Sequence, residues 1–160
     1  MSQGVRRVVA ITGGTRGVGR AIANLFHRRD HAVAVCSRPQ RDGSLPSDIL
    51  HLSLDVRERK EVQRFVALVL DRFGALDVFV NCAGVSRWCA LGEINEAFID
   101  EIVGTSVWGT LWGCAAAAAA MTAGGSIVNV SSLAGKRGSA NNSAYCAAKF
   151  AVNGITQALA

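Results

Sequence analysis

The feature that most restricts this chain is a glycine-rich turn set between a strand and a helix. Val8-Val9-Ala10-Ile11 is a short apolar run of strand type. Thr12-Gly13-Gly14-Thr15-Arg16-Gly17-Val18-Gly19 follows it directly. Ala21, Ile22, Leu25 and Phe26 then recur at helical spacing. Strand, tight glycine turn and helix together form the opening of a dinucleotide-binding unit. Glycines let the backbone approach a pyrophosphate closely. The helix N-terminus offers free N–H groups and the positive end of its dipole. The spacing here is Gly-x-x-x-Gly-x-Gly rather than Gly-x-Gly-x-x-Gly, so the strand-to-helix context carries much of the reading.

The rest of the chain alternates in the same way. Strand signals fall near 6–12, 32–37, 49–54, 76–81 and 125–131, and helix signals near 17–29, 58–73, 96–121 and 143–160. That alternation predicts an α/β fold of Rossmann type, a doubly wound parallel sheet with helices on both faces. The 58–73 helix is the clearest, because Val62, Phe65, Val66, Val69, Leu70 and Phe73 make one apolar stripe for the core. Between the second and third strands, Pro39-Gln40-Arg41-Asp42-Gly43-Ser44-Leu45-Pro46 is too polar and broken for a full helix. A loop is expected in place of that crossover helix.

One domain accounts for the 160 residues, without linker or repeat. No run reaches the roughly 18 apolar residues that span a bilayer. The Ala- and Trp-rich stretch from Val107 to Met121 reads as a buried helix. Arg6 and Arg7 lead straight into the first strand, which leaves no apolar core for a signal peptide. Cys36, Cys82, Cys89, Cys114 and Cys146 are scattered without Cys-x-x-Cys pairs. They suggest free thiols in a reducing cytoplasm, not a disulfide framework or a metal site. The net charge of +5 invites a nucleic-acid reading, but Arg28, Arg29, Arg57, Arg59 and Arg64 are dispersed and form no stripe with aromatics. The expectation is a soluble enzyme domain with neither nucleic acid nor membrane as a partner.

A second motif points to chemistry. Ser143-Ala144-Tyr145-Cys146-Ala147-Ala148-Lys149 puts a phenol and an amine one helical turn apart, on one face. Ser132 lies upstream, just past the apolar run Ser126-Ile127-Val128-Asn129-Val130, which reads as a buried strand. A hydroxyl, a phenol and an ammonium together can polarise a carbonyl oxygen and hand it a proton. A tyrosine alone is a poor acid or base at neutral pH, since its reference pKa is about 10; a nearby ammonium stabilises a phenolate. Taken alone, the Tyr-x-x-x-Lys spacing reads as a surface lysine beside a half-buried tyrosine. The glycine turn is what lifts it above that reading.

These motifs together resemble the short-chain dehydrogenase/reductase family. Thr12 to Gly19, with Gly13, Thr15, Arg16, Gly17, Val18 and Gly19 as cofactor contacts, is similar to the family's glycine motif. Asn81-Cys82-Ala83-Gly84 resembles its Asn-Asn-Ala-Gly motif, with Cys82 in place of the second Asn. Asp55-Val56 resembles the pair beside the adenine ring, and Ser132, Tyr145 and Lys149 stand at the catalytic positions. The resemblance implies hydride transfer between a nicotinamide and a carbonyl or alcohol carbon. It makes Tyr145 the general acid or base and Ser132 the donor to the oxyanion. Lys149 supports the phenolate and holds the nicotinamide ribose. Asn81, Ala83 and Gly84 are expected to line the cofactor cleft. Arg16 and Arg38, with no acid after the second strand in Val35-Cys36-Ser37-Arg38, favour NADP(H) over NAD(H).

Two departures qualify this. The family's helical Asn, which anchors a proton-relay water, is matched by Ser106 in Ser106-Val107-Trp108-Gly109. The chain also ends at Ala160, where the family continues with two strands, a lid loop and helices. The C-terminal strands are therefore expected to be missing, with the fifth strand left as an open edge. The expected substrate is a small carbonyl or alcohol, with 3-oxoacyl reductase-like chemistry. Dehydrogenation of cyclic diols is the alternative suggested by Gly84-Val85-Ser86-Arg87-Trp88, and a non-catalytic dinucleotide-binding subunit the alternative suggested by the short chain. The helices near 96–121 and 143–160 are expected to pair in a homo-oligomer, and the 160-residue chain alone is expected to reduce carbonyls very slowly.

Overall fold

A computed structural model of the chain describes residues 6–38 and 45–160. The expected loop at 39–46 falls outside the described residues except for Leu45 and Pro46. Among the described residues, five strands form one sheet: β1 Val8–Thr12, β2 Ala32–Ser37, β3 Leu50–Ser53, β4 Val78–Asn81 and β5 Ser126–Asn129. All pairings are parallel, and the order is β3-β2-β1-β4-β5. The doubly wound architecture read from the alternation is the one observed. From β1 the chain winds outward to β2 and β3, and from β4 outward to β5. The reversal lies between β1 and β4, the place where a crevice opens beyond the carboxyl ends of the strands.

Alternation along the central strands builds two cores. Val8 and Ala10 of β1, with Ala34 and Cys36 of β2, face one layer; Val9, Ile11, Val33 and Val35 face the other. All five residues of β1 are buried, which is why its run reads as continuously apolar. The first layer receives helix α2, Arg59–Phe73, through Val62, Phe65, Val66 and Val69. Phe65 meets Phe79 of β4 edge-on, with ring centroids 6.4 Å apart. Gly74 ends α2 with φ of +76°, its N–H donating to Leu70 O at 2.7 Å. The second layer receives α1, Gly17–His27, through Ile22, Ala23 and Phe26.

The helix expected as a single piece at 96–121 is interrupted. It runs as α3, Glu96–Val103, then a π-helical segment, Gly104–Trp108, then α4, Gly109–Ala120. The physical reason lies in three glycines. In a continuous α-helix five residues advance about 500°, so Gly104 and Gly109 would point about 140° apart. The Gly109 N–H donates instead to Gly104 O, one residue farther than in an α-helix, which underwinds the turn. Gly104 and Gly109 thereby both face the segment after β3. A Cβ at Gly104 would lie 2.9 Å from Arg57 Cδ, and one at Gly109 would lie 2.9 Å from Val56 Cγ2. Gly113 continues the face, where a Cβ would collide with the Asn81 amide.

The span Glu96–Ala120 is long and apolar enough to cross a membrane by length and composition, with a mean hydropathy of 1.3. Within the fold half of that window is buried, and Ala117, Trp112 and Ala116 pack on the first core layer. The helix the alanine run suggested is present but buried on one face only, with Ala115, Ala118 and Ala119 exposed on the other. The last helix, α5, Ser143–Leu159, packs Ala144 and Ala148 against Ile102 of α3.

Candidate active site

The carboxyl ends of the strands open onto a cleft of about 560 Å³. Its nucleotide wall begins at the glycine turn. Gly13 takes φ of +68°, and a Cβ there would lie 2.9 Å from Ala83 Cα, so any side chain would be both strained and obstructed. A Cβ at Gly19 would run into the Gly13 carbonyl oxygen, which lets α1 start directly under the turn. Backbone bonds hold this shape. Gly13 N–H and Gly14 N–H donate to Cys36 O at 2.8 and 3.3 Å. Thr12 Oγ1 accepts from the N–H groups of Cys82 and Ala83, both at 3.1 Å, and so ties β1 to the chain leaving β4.

Among the described residues no side chain caps the first turn of α1, and that turn contains no acid. Its N–H groups and dipole end suit an anion such as a pyrophosphate. Arg16, Arg38, Asp55 and Val56 complete the wall. Asp55 is clasped by Arg57 Nε and Nη2 at 2.9 and 2.7 Å. Burial pushes the Asp55 carboxyl up, but the Arg57 hydrogen bonds outweigh it and leave the group below its usual range.

The opposite wall carries the hydroxyl, phenol and amine. Ser132, Tyr145 and Lys149 all line the same cleft as the glycine turn. Lys149 is buried and donates from Nζ to Val130 O at 2.8 Å. Its Nζ stands 5.7 Å from the Tyr145 ring centroid. Burial pulls the lysine below its usual pKa, against a smaller upward push from the charge Cys82 carries when it is a thiolate. The two adjacent serines differ. Ser131 Oγ donates to Lys149 O at 3.2 Å, so its proton is committed to fastening α5. Ser132 Oγ accepts from Ala134 N–H at 3.1 Å, which leaves its own proton available to a ligand.

Of the residues singled out in the sequence, Gly13, Thr15, Arg16, Gly17, Val18, Gly19, Arg38, Asp55, Val56, Ala83, Gly84, Ser132, Tyr145 and Lys149 share this cleft. Asn81 does not line it, contrary to expectation. At the end of β4 its amide turns toward α4, into the room that Gly113 leaves, and donates to Asn129 Oδ1 at 2.9 Å. Asn129 in turn donates to Thr156 Oγ1 at 3.0 Å, so Asn81 begins a chain of bonds from β4 through β5 to α5. Ser106 is also one layer back, buried in the π-helical turn with no hydrogen-bond partner for its Oγ among the described residues. It flanks Gly84: a Cβ there would lie 3.9 Å from Ser106 Oγ and 3.6 Å from Lys149 Nζ.

One residue was missed altogether. Glu101 of α3 accepts from Arg38 Nη1 at 3.3 Å and from Arg87 Nη1 at 2.9 Å. The carboxylate judged absent beside Arg38 therefore arrives from 63 residues away, where no local pattern could announce it.

The profile of the short-chain dehydrogenase family matches residues 7–160. The chain belongs to the short-chain dehydrogenase family. It is 35% identical to a sorbitol dehydrogenase of Cereibacter sphaeroides, over 94% of this chain and 62% of that protein. It is 34% identical to the human 3-oxoacyl-acyl-carrier-protein reductase, over 96% of this chain and 68% of that one. A short-chain dehydrogenase from Streptomyces avermitilis superposes with a TM-score of 0.89 at 31% identity, over 97% of this chain and 60% of that structure. The chain thus spans about three-fifths to two-thirds of the length of these relatives.

Proposed function

We propose that the protein is an NADP(H)-dependent oxidoreductase that interconverts a ketone and a secondary alcohol. The observation that carries this is one cleft lined on one side by the glycine turn and on the other by Ser132, Tyr145 and Lys149. When bound, the nicotinamide cofactor supplies the hydride. Gly13, Thr15, Gly17, Val18 and Gly19 would seat its pyrophosphate at the start of α1, Asp55 and Val56 its adenosine, and Arg16 and Arg38 a 2′-phosphate. Ala83 and Gly84 leave room beside Lys149.

In reduction the Tyr145 phenol gives its proton to the carbonyl oxygen and becomes a phenolate; in oxidation the phenolate takes the proton from the alcohol. Ser132 donates its free proton to the same oxygen as charge develops there. Lys149, anchored on Val130 O, keeps a positive charge beside the phenol. Asn81 acts from behind, through Asn129, on the seat of α5. Ser106 leaves an unpaired hydroxyl beside Gly84 and Lys149, where a relay water would find a partner.

The relatives that support this are named for different substrates, sorbitol and 3-oxoacyl-acyl-carrier protein. The substrate class is accordingly kept at ketone and secondary alcohol. We read the chain as one dinucleotide-binding domain that further strands would complete. Half-exposed Trp108, stacked on Trp112 at 6.1 Å, and half-exposed Phe150 on α5 support pairing of these helices in a homo-oligomer. Five free thiols support a reducing compartment, the cytoplasm.

Calorimetric titration of the chain with NADPH and NADH tests the cofactor. NADPH is expected to bind more tightly, and Arg38→Asp to move the preference toward NADH. Equal affinities in the unmodified protein would remove the NADP(H) assignment.

A further inference from the structure

Arg38 lines the cleft, but its charge is not free. Glu101 Oε1 accepts from it at 3.3 Å, and the Asp55 carboxylate also lies within its electrostatic reach. Glu101 holds a second arginine more closely, Arg87 Nη1 on Oε2 at 2.9 Å. Arg87 is itself steadied over the Phe98 ring, its guanidinium carbon 5.6 Å from the centroid. One carboxylate on α3 therefore spans two cations. One cation belongs to the end of β2, and the other to the loop that continues Gly84-Val85-Ser86 of the cleft.

We propose that Glu101 is a specificity-determining residue: it occupies Arg38 when no nucleotide is bound and yields it to the 2′-phosphate, with Arg87 retaining the released carboxylate. The proposal rests on the NADP(H) reading and deepens it. The chemistry is a competition of two anions for one guanidinium. A carboxylate on an exposed arginine is held weakly. A phosphate monoester offers more charge and more acceptor oxygens to the same fork. Arg87 lowers the cost of the exchange, because Glu101 loses only the longer of its two contacts. Without Arg87, the carboxylate would depend on Arg38 alone and compete harder. NADH has no 2′-phosphate, so its binding leaves the Arg38–Glu101 pair in place. Arg38 and Glu101 side chains are both partly exposed, 48% and 24%, so the exchange needs no movement of the core.

The experiment is calorimetric titration of the full chain and its variants with NADPH and, in parallel, NADH. Glu101→Gln keeps the shape and removes the charge; it is expected to tighten NADPH about two- to five-fold and leave NADH unchanged. Arg87→Ala is expected to weaken NADPH about two- to five-fold. Glu101→Gln with Arg87→Ala is expected to behave like Glu101→Gln alone, since Arg87 acts only through the carboxylate. The gains should shrink as salt screens the site. A Glu101→Gln protein with unchanged NADPH affinity, or with NADPH and NADH shifted equally, overturns the inference. If the unmodified chain prefers NADPH and Arg38→Ala abolishes that preference, the NADP(H) reading survives that result. If neither the unmodified chain nor Glu101→Gln distinguishes the cofactors, or neither binds them, both readings fall.

Discussion

The two walls of the cleft are held by different forces. The nucleotide wall grows from β1, whose five residues are all buried between two apolar layers, and its turn is fixed by backbone bonds to Cys36 O. The catalytic wall grows from β5, which pairs only with β4 among the described strands and leaves Val128 47% exposed. Its helix, α5, buries mainly small residues, Ala144, Cys146, Ala148 and Val152, together with Lys149. Side-chain hydrogen bonds supply what apolar burial does not. Asn129 reaches Thr156, Ser131 reaches Lys149 O, and Asn153 Nδ2 donates to Gly135 O at 2.8 Å. A wall made by burial is robust but insensitive to detail. A wall made by hydrogen bonds positions groups sharply and fails one bond at a time.

The largest separation of the two walls comes from Tyr145→Phe, which removes only the phenolic oxygen. Turnover of a ketone with NADPH by any completed form of the chain is expected to fall by about 10² or more, as for loss of a general acid. NADPH affinity by calorimetry should stay within about two-fold, because the nucleotide wall is untouched. Near-normal turnover would remove Tyr145 from the chemistry.

Stability gives the next contrast. Phe65→Ala empties a fully buried ring site between α2 and the sheet and is expected to cost about 3–5 kcal/mol. That is much of the stability of a small domain, so both walls should melt together in thermal unfolding. Asn129→Ala breaks the bonds to Asn81 and Thr156; exposed Thr156 keeps its bond to Val152 O and meets water, but the buried Asn81 amide is left with only its long contact to Cys114 Sγ, 3.5 Å. It is expected to cost about 1–3 kcal/mol and to lower turnover while NADPH binding persists. If Asn129→Ala abolished binding as well, the walls would not be separable in the way their packing suggests.

What could be read in advance follows the same division. The glycine turn, the α2 stripe and the Tyr145–Lys149 pair depend on neighbours in the chain, and local spacing exposes them. The parallel sheet followed from the alternation alone. The π-helical turn was invisible because Gly104, Gly109 and Gly113 acquire a common face only through Val56, Arg57 and Asn81. Asn81 was placed one layer wrongly because its direction is set by the room at Gly113, far along the chain. Glu101 looked like a solvated acid on a helix until Arg38 and Arg87 came to it.

The smallest effects are electrostatic, and the walls should respond at opposite ends of the pH scale. Asp55 and Glu101 both lie below their usual carboxyl values. For Asp55 burial opposes the shift and Arg57 prevails; for Glu101 the Arg87 hydrogen bond leads. A folded value below the unfolded one means the unfolded chain binds more protons in acid. Their stabilisation is present above about pH 4 and is lost as pH falls through the lower folded values. Lys149 is shifted down by burial, so its ammonium opposes folding. That penalty persists at neutral pH and is relieved as pH rises from the folded value toward about 10.4. Melting temperature should therefore fall on the acid limb, and Asp55→Asn should flatten that limb. It should rise, or decline less than expected, on the alkaline limb, and Lys149→Met should remove that feature. Cofactor titration against pH refines the assignment: loss of NADPH affinity in acid before loss of structure would mean that the nucleotide wall yields first. Acid and alkaline limbs unchanged by either substitution would show that neither group carries its wall's response to pH.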